Sequence, residues 1–586
     1  MSKIKDSLVN KQTIRILINQ KCKMRDGTEL ATDVYLPLND GKYPTILNRT
    51  PYDKANYELN VAHLIKYAQQ GYAVVTQDVR GRYGSSGELY AFINEYNDGT
   101  DCIEWITEQP WYNGKIGGVG GSYVALTQWQ AAQQVGNKFS ALLTQVGYSN
   151  TYHNWVYTGG AFQLAFNLSW GLAISARTHQ RVFMYSPPGI NQADLFYHLP
   201  LIDIPKKAGR ISKHWNDWIS HPSYDNYWKN LKPIDENYSS IDTPVLNIGG
   251  LYDVFLQGNL NNFMGVQKYG KTKKTRESQK LIVGPWIHNY GNYGSETVTI
   301  KTDFGLNSLL DLKSEEKKWY DYWLKGIDNG IMDEPKVKIF VMGINKWREA
   351  ETWPLPNTKY TPYYIHSKGN ANSLFGDGLL NTEKPGKEKT DTYIYDPEHP
   401  VITTGGSTCC SEDTVATSLG PKDQRQNEAR PDVLVYSTEI LEENIEVTGP
   451  IKATIYAASD VKDTDFTVKL VDVYPDGYAM NVAQGIQRAR YRESWENPSL
   501  IEPNKIYKYD IDLWSTSNCF QKGHKIRIEI SSSNFPQFDR NPNTGNIFGM
   551  DSEMNIANQT IYHLSLIHIS APTRLGMISY AVFCLK

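Results

Sequence analysis

An α/β architecture with an all-β C-terminal half is the fold class predicted by this 586-residue sequence. Three observations predict it. Strand-like and helix-like runs alternate from about Thr13 to Tyr148, which implies a mainly parallel sheet. A serine occupies a tight strand-to-helix turn within 115–132. Beyond about Lys359 the apolar period falls to two residues, as in half-buried strands. A chain this long divides into several domains.

In chain order, "TILNRTPY" and "YAVVTQDVRG" read as strands running into loops. "YNDGTDCIEWITEQ" has helical spacing, with Ile103, Trp105 and Ile106 on its apolar side. The strand-like run 115–119 meets Gly120-Gly121-Ser122-Tyr123, and a helix-like run follows over 124–132. "ALLTQVGY" is the next buried strand. From 149 to 240 the chain turns helical and aromatic, rich in His and Trp. An insertion there would lie over the carboxyl ends of the strands as a cap. "TPVLNIGG" resumes the sheet, and "SEEKKWYDYWLKGIDNG" reads as a late helix ending at Gly326. "DVLVYSTEI", "IKATIYAAS", "TDFTVKLVDV" and "KIRIEISSS" then alternate like strands of a β-sandwich.

Bulk properties exclude several classes. A net charge of −3 argues against a broad nucleic-acid or anionic-membrane surface. No run of about 18 apolar residues exists, so no membrane span is expected. The opening MSKIKDSLVNKQ lacks the apolar core of a signal peptide, so a cytoplasmic location is expected. The 6 Cys form no CxxC pair and no zinc-like spacing, and neither metal nor organic cofactor is expected. Adjacent Cys409 and Cys410 suit a buried pair or a vicinal disulfide.

The chemistry lies in three segments. Ser122 on its turn would be pushed out of the sheet edge, as at the nucleophile elbow of an α/β-hydrolase. Flanking glycine lets strand and helix approach closely. The plainer reading of Ser122 is a helix N-cap. "NIGGLYDVF" ends a short apolar strand at Asp253, and "LIVGPWIH" ends another at His288. The order Ser, Asp, His is that of α/β-hydrolases, and each residue falls where the catalytic crevice of an open α/β sheet lies. Ser122 would be the nucleophile, His288 its base and then the acid, and Asp253 the group that orients His288. Asp242 is the rival carboxylate but precedes its strand. His179, His198, His214 and His221 lie in the cap region without triad context. The backbone N–H of Tyr123 would be one oxyanion donor. Phe255, two residues from Asp253, should lie near the triad. Arg80, Arg82 and Tyr83, in "DVRGRYGSSGE", carry no phosphate-loop pattern and read as a structural loop across the strand ends.

These residues sit within motifs that resemble the cocaine esterase / X-Pro dipeptidyl-peptidase group of serine hydrolases, in its glutaryl-7-aminocephalosporanic acid acylase-like branch. The motifs are "MRDGTELATDVYLP", "RTPYDK", "DVRGRYGSSGE", "GSY", "GLYDVF" and "GPWIH". In the β half they are "DTDFTVKLVDVYPDGYAMNVAQGIQRARYR" and "GHKIRIEISSSNFPQFDRNPNTG". The resemblance implies an α/β-hydrolase core with an inserted helical cap and a C-terminal β jelly-roll domain. The expected division is 1–148 and 241–355 for the core, 149–240 for the cap and 356–563 for the jelly roll. It implies the hydroxyl of Tyr52 as the second oxyanion donor, and Trp155 and Trp170 beside Phe255 as lining of an acyl pocket. Two departures stand out. Ala125 replaces the last glycine of the elbow pattern Gly-x-Ser-Tyr-x-Gly. After His563 the resemblance stops, so 564–586 are expected to be a non-native tail, with Ile567, Ile569, Ile578 and Phe583 exposed.

The expected function is a serine acyl hydrolase that cleaves an ester or amide of a small-molecule acyl substrate through an acyl-serine. An X-Pro dipeptidyl peptidase is the alternative. Related peptidases carry an extra N-terminal helical domain, whereas this chain reaches its first core motif within about 25 residues. Carbohydrate or polymer binding through the jelly roll is the reading from another class. Neither nucleic acid nor membrane is expected as a partner, and a homo-oligomer is compatible with the sequence.

Overall fold

A computed structural model describes residues 14–56, 62–178, 191–288, 304–356, 358–409 and 419–572. Twelve strands come first: β1 (Ile14–Lys23), β2 (Glu29–Pro37), β3 (Tyr43–Thr50), β4 (Ala73–Asp78), β5 (Tyr112–Gly121), β6 (Phe139–Gln145), β7 (Tyr157–Thr158), β8 (Ala161–Phe162), β9 (Val245–Tyr252), β10 (Lys280–Ile287), β11 (Val337–Val341) and β12 (Lys346–Ala350). All but β7 and β8 form one ten-stranded sheet ordered β1-β2-β4-β3-β5-β6-β9-β10-β11-β12. Its centre, from β4 to β11, is parallel, and its two edges are antiparallel. β4, β9 and β10 are buried throughout, as a sheet covered on both faces requires. Helices Glu95–Thr107, Tyr123–Val135, Leu256–Tyr269 and Leu312–Lys325 belong to this layer. In the first, Ile103 and Ile106 are buried while Trp105 is only partly so. The last ends at Gly326, where the sequence reading ended it, and the φ of 70° there is a left-handed stop.

Between β6 and β9 lies the helical insertion. It holds the hairpin β7–β8, the fully buried helix Leu164–Ile174, and the helix Lys213–Ser220, which buries His214, Trp215, Trp218 and Ile219. Among the described residues no helix is long and apolar enough to cross a membrane.

The C-terminal half adds β13 (Thr358–His366), β14 (Leu379–Asn381), β15 (Asp391–Tyr395), β16 (Leu434–Ser437), β17 (Ile445–Ser459), β18 (Asp465–Val473), β19 (Ala479–Arg488), β20 (Tyr507–Phe520), β21 (Lys525–Ser531) and β22 (Ala557–Pro572). They form a second sheet ordered β19-β18-β21-β16-β14-β13-β22-β17-β20, with β15 also on β22. Its end strands β19 and β20 lie against each other, so the sheet is nearly closed, like a barrel. The expectation of half-buried strands fails at β18, which is buried along its whole length. Its apolar face (Phe466, Val468, Leu470) enters the core. Its polar face is covered too and is satisfied there: Thr467 bonds Ser531 at 2.6 Å, and Lys469 donates to Gln424 at 3.0 Å.

The expectation of exposed side chains after His563 fails at Ile567 and Ile569. Residues up to Pro572 continue β22, which pairs with β13 on one side and β17 on the other. Ile567 and Ile569, expected to be exposed, are 2% and 0% accessible. Residues 573–586, with Ile578 and Phe583, lie outside the described residues.

Candidate active site

The carboxyl ends of β3, β5, β9 and β10 converge. β5 ends in glycines because the helix Tyr123–Val135 turns back at once. A Cβ on Gly120 would lie 2.3 Å from the Val124 carbonyl oxygen. Ser122 follows with φ 58° and ψ −128°. A non-glycine residue stores strain in such a conformation and keeps it only where the surroundings enforce it. Here the Ser122 N–H donates to Gln145 O of β6 at 3.0 Å, while its carbonyl accepts from Ala125 N and Leu126 N. The Ala125 methyl, where the family pattern has glycine, is buried and packs opposite Gly147, so the departure is accommodated.

The N-cap reading of Ser122 loses on geometry. Its side chain makes no capping hydrogen bond. Oγ instead lies 3.0 Å from His288 Nε2, and His288 Nδ1 lies 2.6 Å from Asp253 Oδ2. Asp253 is fully buried, and its Oδ1 accepts from Phe255 N at 2.7 Å. Both carboxylate oxygens are therefore engaged, which fixes the group's rotation. Asp242 lies at the far end of β9 and accepts from the hydroxyls of Thr272 and Thr275. His214 is buried against Gly171 O and Ser212, and burial holds its pKa down to about 4. His221 pairs with Asp225 at 2.7 Å and His198 approaches Lys207; His179 lies outside the described residues.

Tyr52 sits on the loop after β3. Its hydroxyl accepts from Trp170 Nε1 at 2.8 Å, and burial pushes its pKa up to about 12, so the phenol stays neutral. Tyr123 is anchored by its own side chain. Its hydroxyl donates to Glu95 at 3.1 Å and accepts from Phe92 N at 3.0 Å, while Glu95 pairs with the buried Arg49 at 3.0 Å.

Trp155, Trp170 and Phe255 are brought together. Trp155 stacks on Phe255 (centroids 4.6 Å apart) and meets Trp170 edge-on at 4.7 Å. Phe255 meets the His288 ring at 5.2 Å. One aromatic cluster thus runs from the histidine to the partner of Tyr52. Sequence reasoning missed Phe92, Tyr148 and Phe166, which complete it. Of these only Tyr148 carried a signal, since it follows the carboxyl end of β6. Cys409 of the β half is buried in the large hydrophobic core to which these rings also belong, and it is disulfide-bonded; Cys410 lies outside the described residues. A recess of about 590 Å³ lined by Arg490, Leu500, Ile547, Met550 and Asp551 involves none of these residues.

Known proteins resemble this chain along most of its length. Residues 26–290 match the X-Pro dipeptidyl-peptidase (S15) family, and residues 329–565 match the X-Pro dipeptidyl-peptidase C-terminal non-catalytic domain. The chain is 37% identical over 551 residues to the cocaine esterase of Rhodococcus sp. (strain MB1 Bresler), covering 91% of this chain and 93% of that protein. An aminopeptidase structure from a marine sediment Thaumarchaeota archaeon superposes with a TM-score of 0.82 at 24% identity, over 98% of this chain and 100% of that one. An α-amino acid ester hydrolase superposes at 0.81, also at 24% identity, over 96% and 97%. At such identities the two structures speak to the fold alone. The sequence relatives speak to chemistry as well: this chain is a serine hydrolase of ester or amide bonds, and it belongs to the cocaine esterase / X-Pro dipeptidyl-peptidase family.

Proposed function

We propose that the enzyme hydrolyses esters and amides of small apolar carboxylic acids through an acyl-Ser122 intermediate. The observation that carries this reading is the unbroken hydrogen-bonded chain Ser122 Oγ–His288–Asp253, at 3.0 and 2.6 Å. Asp253, an acceptor, favours the tautomer in which His288 Nδ1 donates and Nε2 accepts. Nε2 then takes the Ser122 proton as Oγ attacks the substrate carbonyl carbon. The carbonyl oxygen becomes an oxyanion, received by the Tyr52 hydroxyl and the Tyr123 backbone N–H. The imidazolium, held by buried Asp253, returns its proton to the leaving alcohol or amine as the tetrahedral carbon collapses to the acyl-enzyme. Water attacks the ester in the same way, giving its proton to Nε2, and the free acid leaves.

Trp155, Trp170 and Phe255 line the acyl side in this reading. Their rings favour an apolar or aromatic acyl group over a charged one. The test is a panel of p-nitrophenyl esters, acyl amides and X-Pro-p-nitroanilides on wild type and Ser122→Ala. The variant should lose about 10⁴- to 10⁶-fold in kcat on every substrate cleaved, with its fold intact. Activity within tenfold of wild type would remove Ser122 as nucleophile. Preference for the X-Pro-p-nitroanilide would replace the acyl-hydrolase reading with the peptidase.

A further inference from the structure

The segment Arg80–Ser85 reads as a plain structural loop, yet it delivers a buried cation to the loop that carries Tyr52. Arg82 is fully buried. Its hydrogen bonds run to main-chain carbonyls of two separate elements. Nε donates to Pro51 O at 2.8 Å; one terminal nitrogen donates to Ile174 O at 3.2 Å and to Ala176 O. The other terminal nitrogen has no hydrogen-bond partner among the described residues. Burying a guanidinium without a bonded carboxylate is costly. The cost is offset here because two of the three acceptors close the C-terminus of the helix Leu164–Ile174, where the helix dipole is negative.

Those two elements carry the two partners of one hydrogen bond. Pro51 immediately precedes Tyr52. The helix Leu164–Ile174 carries Trp170, whose indole N–H donates to the Tyr52 hydroxyl at 2.8 Å. Neighbouring residues repeat the same connection. Tyr83 N donates to Arg177 O, and Arg177 Nε donates back to Tyr83 O, each at 3.0 Å. Asp78 accepts from Lys54 N at 2.7 Å and from Gly84 N at 3.2 Å, which ties the Tyr52 loop to the Arg82 loop.

We propose that Arg82 is a positioning residue for the oxyanion donor. It locks Tyr52 and Trp170 in register, so that the tyrosine hydroxyl accepts from the indole and directs its own proton at the substrate oxygen. Its buried positive charge, on the same side, favours the negative charge that develops there. The inference rests on the reading of Tyr52 as an oxyanion donor.

The test is a double-mutant cycle of Arg82→Lys and Tyr52→Phe, assayed on p-nitrophenyl acetate. Lysine keeps the charge, but a single ammonium cannot reproduce a planar fork reaching two elements. Arg82→Lys should lower kcat about 10- to 100-fold with KM changed less than about threefold, because the oxyanion exists only near the transition state. In the Tyr52→Phe background the same change should cost less than about threefold, since Arg82 acts through that hydroxyl. An equal cost in both backgrounds would overturn the proposal. So would Arg82→Lys at wild-type kcat while Tyr52→Phe is slow, and that result would leave Tyr52 in its role. Tyr52→Phe at wild-type kcat would remove both readings. Each variant is read at a temperature where its circular dichroism matches wild type. If neither Arg82→Lys nor Arg82→Gln folds at any temperature, Arg82 is a scaffold residue and the proposal fails.

Discussion

Asp253→Asn exposes how tightly the site constrains His288. The side chain is fully buried; one oxygen accepts from His288 Nδ1 at 2.6 Å and the other from Phe255 N at 2.7 Å. An asparagine has one acceptor and one donor for these two places. With its oxygen on Phe255 N–H, its amide N–H₂ faces Nδ1, which must then accept. The ring proton moves to Nε2, and Nε2 cannot take the Ser122 proton. With the amide reversed, two donors meet at Phe255, a buried conflict costing about 1–3 kcal/mol. Either way the carboxylate charge is lost. Opposite charges about 4 Å apart at an effective dielectric of about 20 attract by about 4 kcal/mol, or about 10³ in rate. Adding the wrong tautomer brings the expected loss of kcat to about 10³–10⁴, with KM nearly unchanged. The assay is steady-state hydrolysis of a p-nitrophenyl ester, with a fluorophosphonate label to count competent serines and a thermal melt to check folding. Asp242→Asn is the control and should stay within about threefold, because Asp242 bonds the Thr272 and Thr275 hydroxyls at the opposite end of the strand. A folded Asp253→Asn enzyme within tenfold of wild type would refute the assignment.

Two further outcomes test the frame around the site. Removing 564–586 should abolish folding or lower Tm sharply, because it takes the β22 residues paired with β13 and β17 and the buried Ile567 and Ile569; each buried isoleucine is worth about 2–5 kcal/mol against a total margin of about 5–15. An unchanged melt would show that β22 ends at His563. Acid should weaken the cap. Burial lowers the pKa of His214 from 6.5 to about 4, so the unfolded chain binds its proton first and stability is lost as pH falls from about 6.5 to about 4. The loss is about 3 kcal/mol at most, and melting curves of His214→Gln should be flatter than wild type over that window, whereas parallel curves would assign the acid response elsewhere.

What the sequence disclosed was short-range. Ser122, Asp253 and His288 each stand just past a buried strand, so local pattern and chain order sufficed to single out three residues whose side chains the structure brings together at 3.0 and 2.6 Å. Gly326 was legible because a left-handed stop needs glycine. Trp170 on Tyr52 was not, since 118 residues separate the pair and nothing in either segment encodes the contact. Arg82 looked like an ordinary loop residue because its acceptors are carbonyls, which every residue has. The misreading of β22 has another cause. Burial alternates strictly from Ala557 to Ile569, but the inward set includes Gln559, His563 and Ser565 and the outward set Leu564, so no apolar period marked the strand in the sequence. The expectation rested on the loss of family resemblance after His563, although a strand needs only neighbours to pair with.

The β half bears on the chemistry without contributing a triad residue. Arg488 of β19 pairs with Asp465 at 2.8 Å and Asp539 at 2.9 Å, all three buried. Asp539 in turn accepts from Phe162 N at 2.7 Å, Arg488 N donates to Gly159 O at 2.7 Å, and Ala165 N donates to Pro536 O at 2.9 Å. These bonds grip the hairpin β7–β8 and the first turn of the helix Leu164–Ile174. The opposite end of that helix is held by Arg82 from the core. Trp170 lies between the two anchors. A helix pinned at one end could pivot; pinned at both, by separate domains, it holds its indole within hydrogen-bonding distance of Tyr52 without help from substrate. In the proposed role of Tyr52 the donor is then oriented before the reaction begins, which is the condition under which a hydrogen bond lowers a barrier rather than merely binding a ground state.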